Sequence, residues 1–305
     1  MSKYPQSPEA SIAAWRHYLE HETTMTPRSI DHDVQTAHAV TSMLEKLGCH
    51  TMPREITPED VKTMLSHMEE QRYAASTIKG YVAALSRYTA HYGNSSVRDM
   101  KVRFPADTRP CVDWLTPEQV QILKSVPKTP MQELGVHCML CMGLRRCEVL
   151  RLRPEDIRED YIMVKGKGPL GGKPRRIPFH RDTARVMALY ARHRDGLIAE
   201  ARRRYPKSTV VPDSLIIRIH GGRLYEYEED GWGWDKSFLV PLREACGFHF
   251  TNHTLRRTFG RALWQAGVPV ETISKLLGHD TTEVTLRYIG VDMDHMRSAM
   301  EACPI

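Results

Sequence analysis

Up to about residue 105 the apolar positions recur every three or four residues, in four runs separated by turn chemistry. The first opens at Pro8 and carries Ala14, Trp15 and Leu19 on one stripe. Thr26-Pro27, a cap residue followed by proline at the first helical position, starts a second run through Met43, Leu44 and Leu47 that Gly48 ends. Thr57-Pro58-Glu59-Asp60 repeats that start signal ahead of Val61, Met64 and Met68. The fourth covers about 75–92, with Ile78, Val82, Leu85 and Tyr88 aligned before the turn Gly93-Asn94-Ser95. Four amphipathic helices in this length predict a small bundle.

The pattern breaks over 104–117, where Pro105, Pro110 and Pro117 interrupt any helix. Residues 106–115 therefore read as a linker between a domain at 1–105 and a second at 116–305. The second starts with the capping box Thr116-Pro117-Glu118-Gln119. Helices are expected at about 117–126 and 131–143, with another opening near Arg146. Tyr161-Ile162-Met163-Val164 and Arg176-Ile177-Pro178 read as short strands around the glycine-rich turn 166–173. A helix at 182–204, a strand at 215–219 and helices at about 235–246, 253–266, 269–277 and 281–288 complete the domain. The expected fold is mainly α with one small β-sheet.

Composition narrows the function classes. Lys and Arg number 43 against 37 Asp and Glu, a net charge of +6. Residues 1–105 hold 12 of each sign, so the whole excess lies beyond Pro105 and points to an anionic partner for the second domain. No apolar run approaches the ~18 residues of a bilayer span, and the N-terminus lacks the apolar core of a secretory signal. An intracellular protein with no membrane role is expected. Seven scattered cysteines in a chain this long do not make a disulfide framework.

Four segments carry candidate chemistry. In Asn252-His253-Thr254-Leu255-Arg256-Arg257-Thr258-Phe259, His253 and Arg256 lie three apart, on one helical face, as a donor pair suited to phosphate oxygens. Leu255 and Phe259 anchor the other side. Leu276-Leu277-Gly278-His279 ends a helix at the glycine and leaves His279 on a loop, nine residues before Tyr288. Gly143-Leu144-Arg145-Arg146-Cys147-Glu148 places Arg145 at a helix start with Glu148 one turn later, able to orient it. Gly166-Lys167-Gly168 puts a lysine at a hairpin tip; it lacks the spacing of a phosphate-binding P-loop. Singly, each reads equally as surface charge, a surface ion pair or amphipathic cover.

Taken in order, GLRxxE, GKG, HxLR, LGH and the tyrosine resemble the tyrosine recombinase (phage integrase) family over about residues 112–290, in a two-domain Xer-like architecture. The resemblance puts Arg145, Lys167, His253, Arg256, His279 and the nucleophile Tyr288 on that family's catalytic positions, with Lys165 and Lys173 as competitors for the lysine. Arg257 stands where many members have histidine. Residues 75–88 resemble the last helix of the family's core-binding domain, which implies a SAM-like N-terminal bundle. Ser76, Thr77, Lys79 and Arg87 on that helix either face DNA or are solvated helix charge. The implied activity is site-specific cutting and rejoining of double-stranded DNA through a 3′-phosphotyrosyl link, by a tetramer on two duplexes in the cytoplasm, associated with the nucleoid. No cofactor is implied: the link conserves bond energy without ATP, and the constellation lacks a carboxylate cluster for catalytic magnesium.

Two rival functions share parts of this reading: a type IB topoisomerase-like relaxing enzyme and a non-catalytic DNA-binding protein on the same fold. Smaller signals compete as well. His17-Tyr18-Leu19-Glu20-His21 matches a zinc-protease pattern without an evident third ligand, and Cys138-x-x-Cys141 reads as buried small apolar side chains. Met293, Met296 and Met300 space out a short amphipathic helix that docks on a neighbouring copy or on its own domain. The extended region 206–234 has no assigned role.

Overall fold

The computed structural model describes residues 5–102, 104, 113–166, 174–228, 231–290 and 301, with Trp232 and Arg287 described by their backbone only. The chain divides into two compact units, Met1–Arg109 and Pro110–Ile305. Unit one is four helices: α1 Pro8–Glu22, α2 Pro27–Lys46, α3 Pro58–Glu70 and α4 Ala75–His91. Ser7, Thr26 and Thr57 cap the first three, each accepting a backbone N–H that the first helical turn leaves without a partner. The apolar stripes close on a core of Trp15, Val34, Leu44, Met64, Leu85 and Tyr88, with the Trp15 and Tyr88 rings 5.2 Å apart. Arg87 commits its guanidinium fork to buried Asp33 (2.8 and 2.7 Å), which ties α4 to α2. Of the two readings of Arg87, the pair differs from solvated helix charge, since a buried carboxylate holds one side of a guanidinium that stays half exposed. Ser76 and Lys79 are exposed and Thr77 is half-buried.

Unit two is mainly helical: α5 Pro117–Ser125, α6 Pro130–Val136, α7 Arg146–Arg151, α8 Thr183–Arg204, α9 Trp232–Ser237, α10 Leu239–Cys246, α11 Asn252–Gln265, α12 Val270–Leu277 and α13 Thr282–Ile289. Strand β1 Tyr161–Lys165 pairs antiparallel with β2 Pro174–Pro178, Ile162 opposite Ile177. Both isoleucines enter a core that includes Leu134, Met139, Leu144, Val149, Trp234, Phe250 and Leu255.

The differences from expectation have physical causes. A second antiparallel pair, β3 Ile217–His220 with β4 Arg223–Glu226, makes two separate hairpins instead of one sheet. β4 buries only Leu224, so it lacks the alternation that marks a strand. The helix expected at 131–143 ends at Val136 and continues as a π-helical turn, His137–Cys141. That expected at 235–246 begins earlier and is broken at Phe238. Pro241 has no N–H to offer the carbonyl of Ser237, which accepts from Gln132 Nε2 instead (3.2 Å). The expected linker runs into unit two before it ends: Leu115 is buried there and donates its N–H to Thr258 Oγ1 (2.9 Å), while Asp113 accepts from Thr254 (3.1 Å).

Among the described residues no helix is long and apolar enough to cross a membrane. His17 and His21 stack at 4.1 Å on α1, Glu20 pairs with Arg16, and no third ligand joins them among the described residues. Cys138 is fully buried, as expected of a small apolar side chain, whereas Cys141 is only partly so. Lys167, Lys173, Met293, Met296 and Met300 lie outside the described residues.

Candidate active site

The site grows from a buried carboxylate. Glu148 sits in the first turn of α7, fully enclosed, and accepts from the backbone N–H (2.7 Å) and Nη1 (2.9 Å) of Arg145. It is therefore no surface ion pair. Arg175 on β2 forks onto the same carboxylate (2.8 and 2.9 Å), and Arg256 Nη1 approaches at 3.4 Å. Burial alone pushes the Glu148 carboxyl up, but the bonds and charge of Arg175 and the charge of Arg256 outweigh it and hold it at about 2. Three guanidiniums around one carboxylate leave an excess of positive charge, which suits a phosphate.

Arg256 is almost wholly buried. Its Nη1 donates to the carbonyl of Gly143 (2.6 Å) and its Nη2 to the carbonyl of Leu277. Burial first, then the charge of Arg145, lowers its pKa to about 10, still protonated at neutral pH. Two glycines make this possible. Gly143 has φ +67 and abuts the Phe259 ring, which a Cβ would strike; Gly278 has φ +62, ends α12, and lies against the Arg175 guanidinium. The Gly278 carbonyl also accepts from Arg145 Nη2 (3.2 Å), joining the α12 terminus to the start of α7.

His279 follows Gly278 and is held from both sides. Its Nε2 faces Arg256 Nη2 (3.3 Å) and its Nδ1 faces the hydroxyl of buried Thr285 (2.9 Å). Since the guanidinium only donates, Nε2 accepts and Nδ1 carries the proton. Burial and the charges of Arg256, Arg145 and Arg175 lower the His279 pKa to about 4, so the ring is neutral. His253, in the first turn of α11, is reached by solvent; desolvation and the guanidiniums of Arg257, Arg256, Arg145 and Arg146 lower its pKa too.

Tyr288 on α13 completes the group. Its ring lies 5.0 Å from that of His279, nearly edge-on, with the Arg257 and Arg256 guanidiniums 5.4 and 5.8 Å from its centre. Its hydroxyl is buried and makes no hydrogen bond among the described residues. Burial raises the phenol pKa, an effect that Arg256 and Arg257 oppose. Arg145, Glu148, His253, Arg256, His279 and Tyr288 are thus gathered in one place. Lys165 ends β1, exposed, opposite Pro174.

Several residues of the site escaped sequence reasoning. Arg175 had a signal: it lies two positions before buried Ile177, on the inward face of β2. Thr285 had one too, three residues before Tyr288 on the same helical face. Trp234 Nε1 donates to Asn252 Oδ1 (3.1 Å) and Asn252 Nδ2 to Asp235 (2.9 Å), so the end of the 206–234 region braces the first turn of α11. Arg261 caps the far end of α13, donating to the carbonyls of Ile289 (3.1 Å) and Gly290 (2.6 Å) while lying over the Trp114 ring. Nothing in sequence spacing marks these last contacts.

The phage integrase family profile matches residues 113–295. The tyrosine recombinase XerA of Thermococcus kodakarensis is 25% identical over 244 residues, 78% of this chain and 78% of its own. XerC of Oceanobacillus iheyensis is 24% identical over 305 residues, 95% and 94% of the two chains. Among solved structures, the Tn1549 transposon integrase in complex with a circular intermediate DNA superposes with a TM-score of 0.65 at 18% identity, over 95% of this chain and 98% of that one. The XerH site-specific recombinase bound to its palindromic difH substrate gives 0.67 at 16%, over 98% and 85%. At these identities the structural likeness carries the fold, while the profile covers more than half of the chain. The protein belongs to the phage integrase family, the tyrosine-type site-specific recombinases.

Proposed function

We propose that Tyr288 attacks a DNA phosphodiester held by Arg145 and Arg256, giving a 3′-phosphotyrosyl link and a free 5′-hydroxyl. The observation that carries this reading is the Tyr288 hydroxyl, buried among cations and without a hydrogen-bond partner among the described residues. An unsatisfied buried hydroxyl costs about 1–3 kcal/mol. A phosphate seated against the guanidiniums supplies the missing neighbour. The phenol oxygen bonds to phosphorus as the bond to the 5′ oxygen breaks; His253 takes the phenol proton. Arg145 and Arg256 offset the charge that develops on the non-bridging oxygens, and the Glu148 carboxylate keeps the forks oriented. His279, once protonated at Nε2, donates to a phosphate oxygen in place of accepting from Arg256.

By the family resemblance Lys167 gives its proton to the leaving 5′ oxygen, with Lys165 and Lys173 the competing lysines. On α4, Ser76, Thr77 and Lys79 are the proposed DNA contacts. We further propose that four copies act on two duplexes bearing a recombination site, in the cytoplasm at the nucleoid, and that no cofactor takes part. Complexes of the Tn1549 integrase, of XerH and of lambda integrase with DNA support duplex DNA as the substrate.

The test is to incubate the protein with nicked fragments of its host or element DNA and stop the reaction with SDS. A detergent-resistant protein–DNA adduct is expected with the wild type and none with Tyr288→Phe. An adduct that persists in the variant contradicts the proposal. Lys167→Ala is expected to slow cleavage of an ordinary phosphodiester but not of one whose 5′ bridging oxygen is sulfur, since a thiolate leaves without an acid. Unchanged cleavage of the ordinary bond removes Lys167 from the site.

A further inference from the structure

We propose that His137, Cys141 and His180 form a zinc site within unit two, apart from the proposed DNA-cleaving residues, with the fourth position left to water. Their ligand atoms all lie within 4.8 Å of one another, the one such convergence of three among the described residues. A tetrahedral zinc with ligands at about 2.0–2.3 Å holds its donor atoms about 3.5 Å apart. The three side chains therefore close by about 1 Å on the ion, with His180 coming from the loop between β2 and α8.

The local structure prepares these ligands. His137 and Cys141 are the two ends of the π-helical turn, an expansion of the helix that is frequent at functional positions. His137 Nε2 bonds the buried Thr183 hydroxyl (2.9 Å), whose own proton points to Met142 Sδ (3.8 Å). That order makes Nε2 the protonated nitrogen and leaves the Nδ1 lone pair for a metal. A ligating histidine ordinarily anchors its other ring nitrogen in this way. His180 turns Nδ1 towards Asp182, 3.7 Å from its carboxylate and 3.4 Å from its backbone N–H. Nε2 is then the ligand atom, and on binding the ring proton moves to Nδ1, which gives up the bond it accepts from the Asp182 N–H and donates to the Asp182 carboxylate instead. Cys141 loses its thiol proton to solvent and supplies the charge; water fills the fourth position.

Two imidazoles and a thiolate in a four-coordinate geometry select zinc over magnesium or calcium. The ion ties the π-turn to the loop that opens α8. The chain continues from that turn through Gly143, whose carbonyl receives Arg256, to Arg145, so the site stiffens the support of the proposed catalytic cluster without touching it.

The full chain, stripped with a chelator, is titrated with cobalt(II) and then with zinc. Expected are one metal per chain and a thiolate-to-cobalt charge-transfer band in the near ultraviolet. Cys141→Ser abolishes the band, and His180→Ala weakens zinc about a hundredfold or more, beyond the loss typical of an outer partner. Cys138→Ser and a His17→Ala/His21→Ala double variant keep both band and stoichiometry. Absence of the band in the wild type overturns the proposal, as does its survival in Cys141→Ser, its loss in Cys138→Ser or full zinc affinity in His180→Ala. Circular dichroism on each variant separates lost ligation from lost fold. Adduct formation by Tyr288 is read separately, so failure of the metal site leaves the proposed cleavage reaction untouched.

Discussion

At the scale of single residues the site is governed by which groups are left uncompensated. Glu148 is charged and fully buried, and Arg175 gives it the closest paired contacts. Removing one partner of such a pair exposes the other's full desolvation cost. Arg175→Ala is therefore expected to destabilise unit two by about 3 kcal/mol, read as a lower urea midpoint. The sign with pH follows from the depressed carboxyl. Its stabilisation is complete above its ordinary value of 4.5 and is lost as pH falls towards about 2, a slope expected to flatten in Glu148→Gln.

His279 carries the opposite signal for binding. In the free protein it is neutral down to about pH 4, and a phosphate oxygen beside Nε2 favours the charged ring. DNA binding should take up protons between pH 4 and the ordinary imidazole value of 6.5, so affinity rises as pH falls through that window. Calorimetry in two buffers of different ionisation enthalpy measures the uptake; an equal uptake in His279→Gln refutes this role. Thr285 fixes the ring's tautomer, so Thr285→Val should slow adduct formation about tenfold, the worth of one hydrogen bond, while Thr285→Ser keeps the rate. Equal rates for the two variants count against the tautomer argument.

At the scale of elements the proposed catalytic groups come from helix ends: the start of α7, the first turn of α11, the turn after α12 and the last turn of α13, with Arg175 on the inner face of β2 holding Glu148. Much of this was legible. Proline and threonine at helix starts marked α2, α3 and α5, Gly278 marked the end of α12, and three-residue spacing put His253 beside Arg256. The missing parts were those set by contacts distant in sequence. Arg175 sits on the right face of a strand, but its partner Glu148 is 27 positions away, and periodicity says nothing about partners. Trp234 and Asp235 brace Asn252 across a region whose hairpin buries too little apolar surface to show an alternation. Arg261 holds the last turn of α13 through backbone carbonyls, which no side-chain pattern encodes. Arg261→Ala is expected to loosen that turn and slow cleavage while DNA affinity stays constant. An equal loss of both, measured by adduct rate and by mobility shift, would place Arg261 on the DNA instead.

At the scale of the whole molecule the charge asymmetry has an origin. The +6 excess lies beyond Pro105, and within unit two Arg145, Arg175 and Arg256 gather around a single carboxylate. Unit one has balanced charge, and its Arg87 pairs with Asp33; the proposed DNA contacts there are Ser76, Thr77 and Lys79 on α4. The proposed division of labour is a neutral unit that reads DNA through local contacts and a cationic unit that grips and cuts one phosphate. Everything in that account converges on one oxygen atom. The most direct measurement is mass spectrometry of the peptide left attached to DNA after SDS trapping and proteolysis. The account predicts a nucleotide joined through its 3′ phosphate to the phenol oxygen of Tyr288; a nucleotide on any other residue, or attachment through a 5′ phosphate, contradicts it.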